Sequence, residues 1–335
     1  MADIARPSAE LTSLDAAEGR AAVRDRFGKF NGGRFGSLVI APARLLLYFI
    51  IVFPFTIILY LSFTQYSPIT AGGLNWWHAN RWWNWGANYA EIVTNMQFIN
   101  AVTRTLLIVI VAVTAELLIG LGLALLFVEK LRFKALFQTL YLIPMMVVPA
   151  VAGYMWFMLL QGNGPVNGIL SILTGQNVAI PWLTDPTIAI ISVIVADIWQ
   201  WTPLMFLILL SGLVALPEDQ MRAATMLGAS WWQKFRWLTL PMLRPVIIIA
   251  LIIRSMEALK LFDLPFLMTR GGPAQATETI SIFLYKLGFQ NFRWALVAAA
   301  AVVILIAITV LANYALRPLQ TSAEQVSQIQ EEGAE

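Results

Sequence analysis

Long runs of apolar residues alternate with shorter polar stretches along most of the chain. A helix needs about 20 apolar residues to cross the hydrocarbon core of a bilayer. The segments that reach this length are residues 38–63, 100–128, 136–160, 187–215, 242–265 and 293–316. The pattern therefore predicts an all-α integral membrane protein with six transmembrane helices.

The composition agrees with a membrane protein and excludes several kinds of chemistry. Hydrophobic residues make up 59% of the chain and charged residues 12%, far from the averages of soluble domains. There is no cysteine, and His78 is the one histidine, so we expect neither disulfides nor a metal site built on these residues. The sequence also lacks a G-x-x-x-x-G-K-[ST] phosphate-binding loop. We predict no catalytic site and no metal site in this chain.

Lysine and arginine are distributed unevenly between the loops. They are frequent in residues 1–37, in the link 129–134 and in the loop 217–241, and sparser on the opposite side. Positive residues collect in cytoplasmic loops, so these regions are predicted to face the cytoplasm of a multi-pass inner (plasma) membrane protein. The predicted organisation is a cytoplasmic N-terminal tail, a six-span domain over 38–316 and a cytoplasmic C-terminal tail over 317–335.

The loop 217–241 has more pattern than a simple link between two spans. Two acids follow Pro217 at the start of a helical pattern, Gly228 ends or bends that helix, and Ser230 can cap a second one. We expect Pro241 to stop the second helix. The apolar face of this helix contains Trp231, Phe235 and Leu238. Such a face could lie on the membrane surface or insert into a groove of a cytoplasmic partner.

Ionisable residues also fall inside the predicted spans, where charge is costly and marks functional or paired groups. They are Glu116, Asp197, Arg254, Glu257, Lys260 and Asp263. The last four recur every three residues, so neighbours can pair along one side of a helix. For Arg254 and Asp263, a self-neutralising ladder on one helix face is the favoured interpretation.

Several stretches together resemble the permeases of binding-protein-dependent ABC importers, in particular the carbohydrate (maltose/glycerol-phosphate) type. The loop has the spacing of their EAA motif in Ala223, Ala224, Gly228, Ala229, Leu240 and Pro241. Similar stretches are "ADIWQWTPLMFLILLSGLVALPED" before the loop and Thr269, Gly271, Gly272 and Pro273 after it. The resemblance covers about residues 40 to 316. It implies the type I ABC importer permease fold, with a cytoplasmic coupling helix between spans 4 and 5.

The resemblance also implies how the loop works. In that family it docks in a cleft of a separate ATPase subunit, which binds ATP and magnesium. The residues expected at this contact are Arg222, Ala223, Ala224, Gly228, Ala229, Trp231, Phe235 and Pro241. Two positions depart from the family pattern, because Arg222 replaces the usual glutamate and Leu227 an aspartate. We hypothesise that Arg222 pairs with an acidic group on the partner instead.

A transporter of the kind that this resemblance implies has several partners. They are a second permease subunit, two ATP-binding cassette subunits and a periplasmic or lipid-anchored solute-binding protein. The second permease is either a different homologous chain, as is usual among carbohydrate-type relatives, or another copy of this one. ATP binding would open the cavity outward while the binding protein releases its solute. Membrane lipid is a further expected partner, and nucleic acid is not expected.

The same resemblance points to a solute site near six residues. They are Asp197, Trp199, Gln200, Trp201, Glu257 and Lys260. A carboxylate accepts hydrogen bonds from hydroxyls, an ammonium donates them, and an indole packs on a sugar ring. The set suits a sugar or polyol, or a charged sugar derivative bound through Lys260. An ion-coupled secondary transporter of a polar solute is the alternative function, but it leaves the loop 217–241 unexplained.

The stretch after the first span, "LNWWHANRWWNWGANYAEIV", is rich in tryptophan. Indole rings prefer the headgroup level of a bilayer, so a belt at the membrane interface is the favoured interpretation. A sugar-stacking platform is a second interpretation, because aromatic faces also pack on sugar rings.

Overall fold

The computed structural model describes most of the chain. Its backbone is described over residues 32–72, 75–129 and 132–332, and its side chains between 40 and 313 within those ranges. The N-terminal residues 1–31, most of the predicted tail, lie outside the described residues. The chain divides after Tyr60 into two compact units.

The first unit contains helix α1, which begins at Gly32 and ends at Ser62, just past the division. Most of its side chains from residue 40 to 59 are apolar and exposed. A helix that is apolar on all sides needs lipid or protein around it. α1 therefore has the character of a membrane span.

The second unit is helical, with short turns between its elements. Its helices are α2 Ala87–Thr94, α3 Met96–Val128, α4 Lys134–Met146, α5 Pro149–Leu159, α6 Pro165–Thr174, α7 Pro186–Val214, α8 Glu218–Met226, α9 Trp231–Lys234, α10 Leu240–Leu259, α11 Asp263–Thr269, α12 Ile280–Tyr285 and α13 Trp294–Glu332. A 3₁₀-helix, Trp76–Trp82, precedes α2. π-helical turns at Phe235–Thr239 and Lys286–Gln290 follow α9 and α12.

The described helices include five that are long and apolar enough to cross a membrane, and a bent pair makes a sixth. The five are Ile40–Ser62, Met96–Val128, Pro186–Val214, Trp231–Leu259 and Trp294–Asn313, and the bent pair is α4 with α5. The prediction of an all-α membrane protein with six spans is confirmed. At the C-terminal end the helix of α13 continues to Glu332, through most of the region predicted as a tail.

The third predicted span, residues 136–160, is broken rather than continuous. α4 and α5 meet at an angle of 94°. Proline has no N–H and disfavours helical backbone at the residue before it, so Pro149 starts a new helix instead of continuing α4. Val148 accordingly leaves the helical region, with φ −59° and ψ 133°. The predicted span over 136–160 is thus present as a bent pair of helices, and the break at Pro149 was not foreseen.

The fifth span begins earlier than predicted. Its helix starts at Trp231, passes through a π-helical turn into α10 and ends at Leu259. In the π turn the Leu240 N–H bonds to the Phe235 carbonyl, five residues back. Because this wider turn shifts the hydrogen-bonding pattern just before Pro241, the helix continues although the proline has no N–H to donate. The prediction that Pro241 stops a short helix is therefore wrong.

The core of the second unit forms around α3 and α7, which make its most extensive helix contact. They approach closely at Gly120, where a Cβ atom would lie 3.1 Å from both Met205 Cγ and Phe206 N. Small residues permit such close packing in membranes, where van der Waals contact holds helices together. α10 packs against both of these helices and α4 packs against α7, so four helices contribute to this core.

The loops outside the spans are held by hydrogen bonds from side chains. In the tryptophan-rich loop, Asn88 Nδ2 donates to the carbonyls of Ser62 and Thr64, at 2.9 and 2.6 Å. Before α7, Asp185 caps the helix by accepting the Thr187 and Ile188 N–H groups, each at 2.9 Å. Caps of this kind satisfy amides at a helix start that have no partner within the helix.

Candidate transport site and coupling segment

Three ionisable side chains from three helices form a buried cluster, which we call the ion triad. Arg254 on α10 donates from Nε and Nη2 to the Glu116 carboxylate on α3, at 2.7 and 3.0 Å. Its Nη2 also donates to Asp197 Oδ2 on α7. The side chains of Arg254, Glu116 and Asp197 are 3%, 0% and 0% exposed. Two parallel hydrogen bonds between guanidinium and carboxylate combine charge with a fixed geometry.

The ion triad corrects the ladder interpretation of α10. Arg254 pairs with α3 and α7 rather than with its neighbours along the helix. Asp263 lies beyond the end of α10, in the first turn of α11. Of the expected ladder, the Glu257–Lys260 pair is present, at 3.6 Å, and it is largely exposed. Sequence spacing reveals possible partners on one helix, whereas these partners come from different helices.

Gln200 lies one turn after Asp197 on α7 and is buried as well. Its Nε2 donates to the Val147 carbonyl at 2.9 Å, at the break between α4 and α5. A backbone carbonyl at membrane depth needs a partner inside the protein. Asp197 and Gln200 thus bind other helices in this conformation and lie away from the accessible surface.

The other four predicted solute contacts are accessible. Trp199 and Trp201 are half-buried, and the side chains of Glu257 and Lys260 are 51% and 65% exposed. The Arg254 guanidinium lies over the Trp201 ring, 5.2 Å from its centroid, within the range of a cation–π interaction. The structure therefore places Asp197 in the ion triad and Trp201 against it, with Gln200 one helical turn beyond Asp197 and Glu257 one turn beyond Arg254.

Glu116 was absent from the six residues predicted for the solute site. In the sequence it is an isolated acid within the second span. The signal that could have found its role is physical, because a charge buried in a membrane protein needs a partner. Arg254 was the one basic residue deep enough in another span to supply it.

Residues 217–241, which include α8 and α9, correspond to the predicted coupling loop, and we call them the coupling segment. The segment contains a defined turn. α8 ends in a Schellman motif centred on Gly228, which has φ +79°. The Ala229 N–H bonds to the Ala224 carbonyl and the Gly228 N–H to the Thr225 carbonyl, both at 3.0 Å. Glycine adopts this left-handed backbone without the steric cost that other residues meet. The prediction that Gly228 forms the turn is confirmed.

The second helix of the coupling segment starts with a capping box. Ser230 Oγ accepts the Gln233 N–H, and Gln233 Oε1 accepts the Ser230 N–H, at 3.3 and 2.7 Å. Beyond this cap the rings of Trp231 and Phe235 stack with their centroids 5.5 Å apart and an angle of 3° between them. The predicted aromatic face is present, and Trp231 is 60% exposed.

A cavity of about 810 Å³ lies beneath the coupling segment. Its walls come from the ends of α3 and α7 on one side and from α8 and α9 on the other, including Leu125, Leu213, Met221, Trp231 and Phe235. The cavity therefore lies between α8 and α9 and the ends of α3 and α7. Met226, which also lines the cavity, and Leu227 are 87% and 88% exposed.

The charges of the coupling segment pair locally. Arg222 forms an ion pair with Glu218, one turn earlier on α8, and these side chains are 68% and 78% exposed. Lys234 Nζ donates to Thr225 Oγ1 at 3.2 Å and links α9 back to α8. Arg222 thus has an acidic neighbour in its own chain, a possibility that the sequence analysis did not consider.

Comparison with known proteins agrees with this architecture. A family model described as "Binding-protein-dependent transport system inner membrane component" matches residues 116–321. The chain belongs to this family. It is a permease subunit of the ABC importer class, with the type I fold that the resemblance implied.

Two relatives and one solved structure illustrate the similarity. The trehalose transport system permease protein SugA of Mycobacterium tuberculosis is 31% identical over 302 residues, 90% of this chain and 94% of that protein. The trehalose/maltose transport system permease protein MalF of Thermococcus litoralis is 36% identical over 200 residues, 59% of this chain and 67% of that protein. A chain of a bacterial alginate ABC transporter, solved with an alginate-bound periplasmic protein, superposes with a TM-score of 0.69 at 22% identity, over 86% of this chain and 96% of that one.

Proposed function

We propose that this permease carries a sugar, a polyol or a sugar derivative into the cell, driven by ATP hydrolysis in a partner subunit. The observation that carries the proposal is the helix Trp231–Leu259, which joins the exposed coupling segment to the face bearing Glu257. A permease with this helix can link an event at its surface to a site among its spans. The relatives named for trehalose and maltose transport support a saccharide as the solute.

We infer that the coupling segment is the docking surface for an ATP-binding cassette subunit. Its exposed aromatic and aliphatic side chains form an apolar surface next to the basic residues Lys234 and Arg236. Exposed apolar patches of this kind mark protein interaction sites. The expected contacts remain Arg222, Ala223, Ala224, Gly228, Ala229, Trp231, Phe235 and Pro241. Two such subunits, each binding ATP and magnesium, would supply the energy for transport.

The proposed orientation follows from the basic residues. Lys234 and Arg236 lie in the coupling segment, and Arg132 and Lys134 lie at the start of α4, just after the end of α3 that lines the same cavity. By the positive-inside rule, these basic residues support a cytoplasmic location for this end of the spans. Both termini would then be cytoplasmic. The binding protein would approach the opposite side, and a second permease subunit would complete the pathway.

The proposed solute surface consists of the four accessible residues Trp199, Trp201, Glu257 and Lys260. Indole rings offer stacking faces, and the carboxylate and ammonium offer an acceptor and donors for hydroxyl groups. Asp197 and Gln200 support this surface from behind, since both are buried and bonded to neighbouring helices. A sugar acid would be favoured by Lys260, a neutral sugar by the tryptophans.

Co-purification tests the proposed class of transporter. A tagged chain, expressed in its native host and solubilised in mild detergent, should retain a nucleotide-binding subunit in stoichiometric amount. Transport by this chain alone in proteoliposomes would contradict the proposal and support the ion-coupled alternative.

The proposed solute can be tested separately. A thermal-shift screen of the cognate binding protein against sugars, polyols and sugar acids identifies the solute class. Uptake of the compound that stabilises the binding protein should fall in Trp201→Leu and Lys260→Ala complexes. Arg293→Ala is the control for Lys260→Ala, because Arg293 is likewise a partly exposed basic residue in an ion pair, with Glu91. Wild-type uptake in both site variants would exclude this surface.

A further inference from the structure

One continuous helix connects the coupling segment with the ion triad. Arg254 lies about 35 Å along this helix from Trp231, at 1.5 Å per residue. The π turn at Phe235–Thr239 widens the helix without interrupting it. A rigid element of this length can carry a displacement from one site to the other. The displacement reaches other helices only where the element is fixed to them.

Arg254 supplies that fixed point. Elsewhere α10 contacts α3 and α7 through apolar side chains, including Leu243, Ala250 and Ala258. Packed apolar helices can slide by small shear movements. Among the described residues, the ionic links between α10 and these two helices are the pairs of Arg254 with Glu116 and Asp197. A bidentate ion pair resists sliding because its geometry is specific.

The same guanidinium also faces the proposed solute surface. It lies over the ring of Trp201, which is half-buried on α7 one turn from Asp197. A change in the position of Arg254 therefore acts on both α7 and a proposed solute contact. Arg254 itself is 3% exposed and is separated from solute by its partners.

We propose that Arg254 is a positioning residue for transport, which makes α3, α7 and the Trp201 ring follow α10 when the coupling segment moves. It acts through Glu116, Asp197 and Trp201 and does not contact the solute. This inference rests on the proposed docking of the coupling segment to an ATPase. It assigns a role in transmission to a residue that is otherwise a buried structural contact.

The absence of cysteine from the chain permits a direct test. A single cysteine replaces Met226 in the coupling segment, or Ile191 on α7 beyond the ion triad, which are 87% and 53% exposed. The purified complex with its ATPase subunits is placed in lipid nanodiscs. The rate of reaction with monobromobimane is measured with and without ATP and vanadate, so no solute is needed.

The test variant removes the ion triad without leaving a buried charge. Arg254→Met alone strands two carboxylates, which is strongly destabilising. The triple variant Glu116→Gln/Asp197→Asn/Arg254→Met is neutral throughout and still lacks the ionic link. Arg244→Met is the matched control, since Arg244 is an exposed arginine on the same helix. Arg254→Lys keeps the charge and loses the planar fork.

The two reporters separate transmission from docking. In the wild type and in Arg244→Met, ATP and vanadate should change both reaction rates by about 5- to 150-fold, the usual range for coupling between sites. In the triple variant the Met226→Cys rate should still respond, while the Ile191→Cys response should largely disappear. Arg254→Lys should give an intermediate Ile191→Cys response.

Two results would count against the inference in different ways. An Ile191→Cys response of wild-type size in the triple variant would overturn the role of Arg254, because the ionic link would be dispensable for transmission. If the rate at which Met226→Cys reacts with monobromobimane is the same with and without ATP and vanadate in the otherwise wild-type complex, the proposed ATPase docking, on which the inference rests, is overturned instead.

Discussion

The coupling segment and the ion triad both depend on a positive residue that pairs with an acid, yet their construction differs. Arg222 pairs with Glu218 one helical turn away, and both are exposed to solvent. Arg254 pairs with Glu116, 138 positions away along the chain, and both are buried. Proximity in sequence and exposure make the first pair weak and replaceable. Burial makes the loss of one partner of the second pair costly, because the remaining charge is then stranded away from water.

The two regions also satisfy their backbone in different ways. The coupling segment uses local devices, the Schellman motif at Gly228 and the capping box at Ser230, within a few residues of each other. The ion triad region uses distant partners, such as Gln200 for the carbonyl at the α4–α5 break. The coupling segment therefore holds its shape through contacts within itself, whereas the triad holds three spans together.

The largest expected effect is on the ion triad. Arg254→Met should lower the stability of the folded protein by about 3–5 kcal/mol, because breaking a buried pair strands uncompensated charge. Thermal unfolding of the purified protein in detergent should show a large decrease in midpoint. The neutral triple variant should recover much of this loss. A triple variant as unstable as Arg254→Met would show that the stranded charges are not the cause.

A smaller effect is expected at the turn of the coupling segment. Gly228→Ala adds a Cβ that meets nothing within 4 Å, so its cost is the left-handed backbone, about 1–2 kcal/mol. ATP-driven uptake should fall while the protein remains folded. Gly122→Ala is the control, since its Cβ also meets nothing and its backbone is helical. Equal uptake in the two variants would show that the turn is not required.

The capping box should matter slightly less. Ser230→Ala removes the oxygen that accepts the Gln233 N–H, a loss of about 1 kcal/mol for a typical N-cap. Ser230→Asp keeps an acceptor and should behave like the wild type. Hydrogen–deuterium exchange at the start of α9 should rise in Ser230→Ala and not in Ser230→Asp. Unchanged hydrogen–deuterium exchange in both variants would show that the stacking of Trp231 on Phe235 holds the start of α9 without the cap.

The smallest stability effect is expected at the exposed ion pair. Glu218→Gln and Arg222→Gln each break it, and each should cost at most about 0.5 kcal/mol. Their effects on ATPase coupling distinguish two roles for Arg222. If Arg222 binds an acidic group of the ATPase, Arg222→Gln reduces coupling and Glu218→Gln does not. Equal, small effects would indicate that the pair serves the helix alone.

Much of the fold could be predicted because membrane spans are a matter of length and apolarity. The helices Met96–Val128 and Pro186–Val214 follow the predicted spans 100–128 and 187–215 closely. The errors occurred at prolines, where the outcome depends on what satisfies the freed backbone groups. Pro149 breaks a span, whereas Pro241 lies inside one after a π turn. A proline indicates that the helix is perturbed, and the residues around it determine whether the helix breaks or continues.

The surroundings of the residues proposed to bind solute were harder to predict than the coupling segment. Trp231, Phe235 and Gly228 act through neighbours within a few residues, so periodicity and caps were sufficient to foresee their arrangement. The burial of Asp197 and its partnership with Arg254 depend on how α7 and α10 pack. Spacing along one helix suggested a ladder because it contains no information about other helices.

The sequence alone was enough for the spans, the family, the Gly228 turn and the aromatic face of the coupling segment. Each depends on residues that are close in the chain or on the length and apolarity of a segment, which determine whether it can span a bilayer however the helices pack. Tertiary structure alone decided that Glu116, Asp197 and Arg254 meet, and that Asp197 and Gln200 are buried. Those facts arise from side chains on separate helices, and only the packed protein brings them within hydrogen-bonding distance.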